Sequence, residues 1–219
     1  MDRRTRLEGA WGTSPRASGG VAALHARAGT VPKGGVGTKA AITYFEETGP
    51  ANTAAVLELV KQRAAEAGIK SVVLASTRGT TAREASRAFA GTDIRLVVIP
   101  HQYGFREEVE FDLALVPELE AVGHRVHWAT MLFHTGDLYG TSAPTAIANM
   151  LRTFGQGMKV CLEILLMAAD GGLVERGERV IAVAGTGRGA DTAILATAST
   201  SNRLKEVRVH EILCKPLLG

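Results

Sequence analysis

The spacing of apolar and polar positions divides this chain into an unpatterned lead and a long patterned body. From Ala41 onward, apolar β-branched runs alternate with stretches whose apolar residues recur every three or four positions; these are the periods of buried strands and of amphipathic helices. Residues 41–45 predict a strand, Thr48-Gly49-Pro50 a turn and Asn52 a helix N-cap. Val56, Val60, Ala64 and Ala67 share one helical face that Gly68 brings to a stop. Residues 71–75 then close a strand-helix-strand unit of the length a parallel right-handed crossover needs. The pattern repeats with a helix through Ala82, Ala85 and Phe89, a stop at Gly91 and a strand at 94–99. A third unit runs from Pro117 through Leu119 and Val122 to Gly123, ahead of a short strand at 126–129.

The second half has a different character. Ser142 is placed to cap a helix with Ile147, Leu151 and Phe154 on one face, ended by Gly155. Residues 158–170 are apolar nearly all round, which predicts a helix buried on more than one side. Residues 179–184, 192–197 and 207–214 read as strands joined by links too short for crossover helices, so part of the sheet is expected to be antiparallel. The predicted fold class is α/β: a three-layer α/β/α domain with a mixed sheet, parallel in its first half and antiparallel at its end.

Composition narrows the classes. The 219 residues are 46% apolar and 21% charged, as expected of one ordinary globular domain. Even the richest apolar run, 160–169, is interrupted by Glu163, which falls short of the roughly 20 uncharged residues of a membrane span. Cys161 and Cys214 lie in apolar segments with no paired spacing, so they read as reduced core thiols of a cytoplasmic protein and not as a disulfide or zinc framework. The net charge is +3, but residues 1–40 hold seven basic and two acidic side chains, a local +5, which leaves 18 basic against 20 acidic, or −2, for the rest. A specific nucleic-acid face on the body is therefore not expected. Residues 1–38 read as a disordered basic leader, either a solvated tail or a mis-assigned start, ahead of a single domain at 39–219. That leader alone could bind polyanions, with steep salt dependence and complete loss on its deletion. Its Lys33-to-Lys39 stretch resembles a phosphate loop with Thr and Lys in reversed order, and it precedes a strand instead of following one.

Candidate chemistry gathers where strands end. Ser76, Thr77, Arg78, Gly79, Thr80 and Thr81 lie directly after a strand and before a helix, the place at which an open α/β sheet holds its ligand. Hydroxyl donors, the helix N-terminus and a guanidinium there favour a phosphate site over helix capping alone. Gly185-Thr186-Gly187-Arg188-Gly189-Ala190-Asp191-Thr192 joins two strands. It fails as a dinucleotide fingerprint and reads equally as a flexible connection or as a loop whose Asp191 accepts from a sugar hydroxyl. Glu163, alone on its apolar helix, needs a partner, either Arg188, a backbone amide or a ligand. His101, Gln102, Tyr103, Gly104 and Phe105 follow a strand, so an aromatic there could stack on a planar ring. His124 and His127 point to opposite sides if extended, so no metal site is expected. No nucleophile with an adjacent base is recognisable, and catalytic residues stay unassigned.

Ser76-Thr77-Arg78-Gly79-Thr80-Thr81-Ala82 resembles the phosphate-effector loop of the pyruvate kinase C-terminal α/β domain, and more closely that of stand-alone proteins similar to this domain. Phe154 to Cys161, Glu163, Met167 to Asp170, Gly187 to Ala193 and Asn52-Thr53 fit the same family pattern, so the resemblance spans about residues 40–216. Gly185-Thr186 departs from it, and the basic leader has no counterpart. The resemblance implies an FMN site, with the nucleotide phosphate on residues 76–81. By position on the sheet edge, His101, Tyr103, Gly104, Glu163 and the 187–192 loop would serve the ribityl or ring end. It does not imply pyruvate kinase activity, whose catalytic site belongs to a separate barrel domain. The expected function is therefore FMN binding, with a flavin-dependent oxidoreductase left open. The alternative is a non-catalytic sensor of a phosphorylated small molecule that acts through oligomer or partner contacts; analogy alone suggests a homodimer.

Overall fold

A computed structural model describes residues 40–217. The readings made for the leader and its glycine-rich stretch lie outside those residues. Inside the sheet, flanked by a parallel strand on each side, is β2 (Ser71–Ala75), a five-residue run whose first four side chains are buried. Alternate residues of a strand face opposite ways. Val72 and Leu74 accordingly enter one apolar core and Val73 another, and each core needs its own layer of helices.

The first layer is built from α1 (Thr53–Ala67), α2 (Thr80–Ala88) and α3 (Leu115–Ala121). Their inward residues Val56, Val60, Ala82, Ala85, Phe89, Leu115 and Leu119 pack on Val72 and Leu74, and on the same face of β3 (Arg95–Ile99) and β5 (Arg179–Ala184). The opposite layer is α6 (Gln156–Asp170), in which 11 of 15 residues are buried. Cys161, Ile164, Leu165 and Ala168 pack on Val73, Val97, Ala182 and Ile194, while Leu166 turns outward to Ala148 of α5 (Ala143–Arg152). A helix between a sheet and a second helix has little solvated surface, which explains its nearly uniform apolarity. The short α4 (Gly136–Tyr139) precedes α5. Both thiols are free and buried, and burial pushes the Cys214 thiol up to about 12. Among the described residues no helix is long and apolar enough to cross a membrane.

The remaining strands are β1 (Thr43–Phe45), β4 (Arg125–Val126), β6 (Thr192–Thr197) and β7 (Arg208–Pro216), in the sheet order β1-β7-β6-β5-β2-β3-β4. β5-β2-β3-β4 are mutually parallel, β5-β6 and β6-β7 are antiparallel, and β1 returns parallel to β7. The mixed three-layer expectation agrees with this architecture, with three local corrections. β1 is not β2's neighbour, because β7, β6 and β5 stand between them. A crossover of suitable length permits adjacency without requiring it, and the apolar meander of β5 to β7 fills the central positions and leaves the three-residue, mostly exposed β1 at the edge. β4 pairs only at Arg125 and Val126 and does not extend to Ala129. On α5 the buried residue is the small Ala148, with Leu151 partly buried beside it against Leu166, while Ile147 and, just beyond the helix, Phe154 are exposed.

Candidate functional site

The parallel strands β2, β3 and β5 end on the same edge of the sheet, and the loops leaving them surround a cavity of about 560 Å³. That volume lies within the range of small-molecule and cofactor sites. One wall is the segment between β2 and α2, represented by Ser76, Thr77, Arg78, Thr80 and Thr81. Facing it are Gly185, Gly187, Arg188 and Gly189 after β5, with Pro50 and Thr53 at the start of α1. His101 and Phe105 enter after β3; α6 supplies Gln156, Lys159, Glu163, Ile164 and Met167, and the chain before α5 adds Met131 and His134.

Within the first wall the hydroxyls divide between structure and cavity. Ser76 is buried, and its Oγ accepts from the Ala82 amide at 3.1 Å. That satisfies a donor in the first turn of α2, so for this residue helix support accounts for the hydroxyl. Thr77 Oγ1 lies 3.4 Å from His101 Nε2. Burial, and then the nearby Arg106, lower the pKa of His101. Arg78 is about half exposed and donates to Glu110 Oε1 at 2.8 Å, with Arg106 3.4 Å from the other oxygen of that carboxylate. Gly79 precedes α2 at φ +89°, and a Cβ there would stand 3.0 Å from Leu115 Cδ2. It shapes the turn from outside the cavity lining.

The facing loop is braced from behind. Asp191 is fully buried; its Oδ2 accepts from the amides of Gly49 at 3.0 Å and Thr186 at 2.9 Å, and its Oδ1 from Thr192 Oγ1 at 2.8 Å. The Ala190 amide donates to Thr53 Oγ1 at 3.0 Å. Ala190, Asp191 and Thr192 thus hold the loop in place and do not line the cavity, whereas Gly187, Arg188 and Gly189 do. Tyr103 and Gly104 fall in a separate, smaller depression, which leaves Phe105 as the aromatic of that segment at the main cavity. Phe105 lies edge-on to both His101 and His134, with ring centroids 5.4 and 5.7 Å apart.

Glu163 has the partner its burial demands, and more than one. Its Oε1 accepts from the Phe133 amide at 2.9 Å and lies 3.3 Å from His134 Nδ1, while its Oε2 accepts from Lys159 Nζ. Arg188, expected as one alternative, does not provide the contact. Lys159 is 1% exposed, and its Nζ lies 5.7 Å from the centroid of the Phe133 ring. Burial lowers its pKa, against the opposing pull of Glu163. The sequence reading missed Lys159, Gln156 and His134. The available signal was a charge pair four residues apart on a helix too apolar to be solvated, since positions i and i+4 share a face. Among the described residues no three His, Cys, Asp or Glu side chains cluster as a metal site. His124 accepts from the Leu96 amide through Nδ1 at 3.3 Å, and the ring of His127 packs over Gly171.

Residues 54–196 match the family model described as pyruvate kinase, alpha/beta domain. Among solved structures, a Cryptosporidium parvum pyruvate kinase in complex with ADP is 16% identical, covering 66% of this chain and 23% of its own, with a TM-score of 0.38. A second structure of pyruvate kinase from that organism is 15% identical, covering 66% and 22%, with a TM-score of 0.36. The match thus spans less than a quarter of the length of those enzymes.

Proposed function

The chain belongs to the pyruvate kinase α/β-domain family, and on that footing we propose that it binds a phosphorylated ligand, FMN, in the 560 Å³ cavity, without pyruvate kinase catalysis of its own. The observation that carries this reading is the convergence of two loops on one space. The donor-rich 76–81 segment and the arginine-bearing 185–189 loop face each other across a volume large enough for a nucleotide.

The residues present fit such a ligand. Thr77, Thr80 and Thr81 offer hydroxyls beside the N-terminus of α2, and Arg78 and Arg188 offer guanidinium donors. Met131, Phe105, Ile164 and Met167 supply the apolar surface that a planar ring requires. When bound, the flavin would supply the redox chemistry, while the protein orients it and sets its electrostatic surroundings. Such a protein would work in the cytoplasm, where two free thiols stay reduced.

A sensor function is favoured by one contact. Arg78 is held by Glu110, in the same long loop that exposes Tyr103 and Phe105. A phosphate that draws Arg78 away would release part of a surface that another chain could read. Titration of the purified protein with FMN, followed by quenching of flavin fluorescence, tests the leading proposal. Saturable binding displaced by inorganic phosphate supports it. Absence of binding, with saturable protection by another phosphorylated metabolite, would transfer the site to the sensor reading.

A further inference from the structure

The least exposed polar side chain lining the cavity is a lysine, and a phosphate loop does not account for it. Lys159 is the one lysine among the lining residues, and it is almost completely buried. Its charge meets one carboxylate, that of Glu163, against the face of Phe133. Placing two ions in such surroundings costs more than an apolar pair of the same volume would, so fold stability alone is a poor reason for their presence. The carboxylate is also not closed around the lysine. Its other oxygen lies 3.3 Å from His134 Nδ1, and that histidine side chain is 33% exposed, so a chain of three groups connects the buried amine with a solvent-accessible side chain. Arg152, on the preceding helix, adds a positive field that also disfavours the ammonium form.

We propose that Lys159 is a carbonyl-capturing amine that forms a Schiff base with a phosphorylated aldehyde or ketone anchored on residues 76–81. The proposal rests on the phosphate site inferred above and adds to it the chemistry at the ligand's other end. The ammonium passes one proton to Glu163, and the freed amine lone pair forms a C–N bond to the carbonyl carbon as the C=O π pair moves to oxygen. A proton moves from nitrogen to that oxygen to give the neutral carbinolamine. Glu163 then returns its proton to the hydroxyl, which leaves as water while the nitrogen lone pair forms the C=N bond. The sum is ammonium plus carbonyl giving iminium plus water, and no oxidant or reductant is consumed. Desolvation of the amine favours its neutral, nucleophilic form, and His134 keeps the carboxylate oriented and in exchange with solvent.

The test uses the full chain and pyridoxal 5′-phosphate, an aldehyde that carries a phosphate, followed by borohydride reduction and peptide mass mapping. The chain has seven lysines, so mapping resolves which of them reacts. Preferential reduction onto Lys159, with a visible imine absorbance before reduction and loss of that label in Lys159→Arg, supports the proposal. Label spread over the other lysines with Lys159 unmodified, at pyridoxal phosphate concentrations that displace FMN, overturns it and leaves the phosphate site intact. Unphosphorylated pyridoxal separates the two readings: a labelling rate about tenfold lower than that of the phosphate ester supports the anchor. Equal rates at Lys159 would remove the phosphate site and, with it, the phosphorylated substrate class. Because the mapping is read on the natural chain, it stands even if Lys159→Arg does not fold.

Discussion

Two loops rich in glycine, arginine and hydroxyl residues wall one cavity, and they differ in how much of that polarity the fold has already used. In the 185–192 loop the carboxylate of Asp191 has three donors, and the backbone is pressed against the start of α1. In the 76–81 loop only Ser76 is committed to backbone support; Thr77 meets a histidine at a long distance, and Arg78 meets a partly solvated carboxylate. The loop from β2 to α2 is therefore the less committed wall, and the hairpin loop between β5 and β6 is its braced counterpart. Similar composition in two loops carries different meanings once the hydrogen-bond partners are counted.

The strongest challenge to the rigid assignment is Gly189→Ala. At φ +68° a side chain is strained, and its Cβ would stand 2.4 Å from Pro50 Cα and 2.7 Å from Thr53 Oγ1. Backbone cannot yield cheaply, so urea unfolding should show a loss of about 4 kcal/mol, or no folded protein. Gly187→Ala has nothing within 4 Å at a similar φ of +84°, and it should lose only about 1 kcal/mol. Equal losses at the two positions would dissolve the contrast between a pressed and an open glycine.

Asp191→Ala should follow, with a loss of about 3 kcal/mol, because it strands the amides of Gly49 and Thr186 inside the protein. Asp191→Asn keeps an acceptor and should lose less. If Asp191 instead served a ligand hydroxyl, either change would weaken FMN binding with stability hardly altered, and measuring both quantities on one sample decides the matter.

Much of this fold was legible along the chain, and the reason is locality. β2, β5 and β6 lie at the residues their apolar runs indicate, because a strand buried on both faces must be apolar throughout and its ends are marked by polar or glycine residues. The cavity walls at 76–81 and 187–189 follow from the ends of those strands. What could not be read was the pairing of groups far apart in sequence. Asp191 looks available for a ligand until Gly49, 142 residues away, is seen to donate to it. β1 joins β7 through three residue pairs that no local period announces. Lys159 presented as one charge on an apolar helix, and only the arrival of Phe133 and His134 makes it a buried pair at a cavity.

Acid should affect the two walls unequally. Burial lowers the pKa of His101, which contacts Thr77 of the first wall, whereas the 185–192 loop contains no histidine. Above the ordinary value of 6.5 the ring is neutral in folded and unfolded chains alike, and its environment has no pH-dependent cost. Below it the unfolded chain takes up a proton that the folded chain resists, so stability falls as pH drops from 6.5 toward the lowered folded-state pKa. His124, also lowered by burial, acts in the same direction. His101→Gln should flatten part of that acid limb, and amide exchange in residues 76–81 should accelerate on acidification before exchange in 185–191 does. An acid limb unchanged in His101→Gln would assign it all to His124 and other groups.

The smallest expected change in stability is also the sharpest on function. Arg78 is about half exposed and its partner Glu110 partly exposed, and pairs open to solvent contribute at most about 1 kcal/mol. Arg78→Ala should therefore leave the unfolding curve almost unmoved. If the guanidinium turns from Glu110 to a ligand phosphate, the same substitution should weaken FMN binding about tenfold, the worth of one charge-assisted hydrogen bond. Glu110→Gln gives the opposite sign, because it removes the competitor for Arg78 and should tighten binding. A protein in which both variants bind as the natural chain does would place the phosphate on the threonine hydroxyls and the helix N-terminus alone. Opposite shifts in the two variants would identify Arg78 as the movable cation of the open wall.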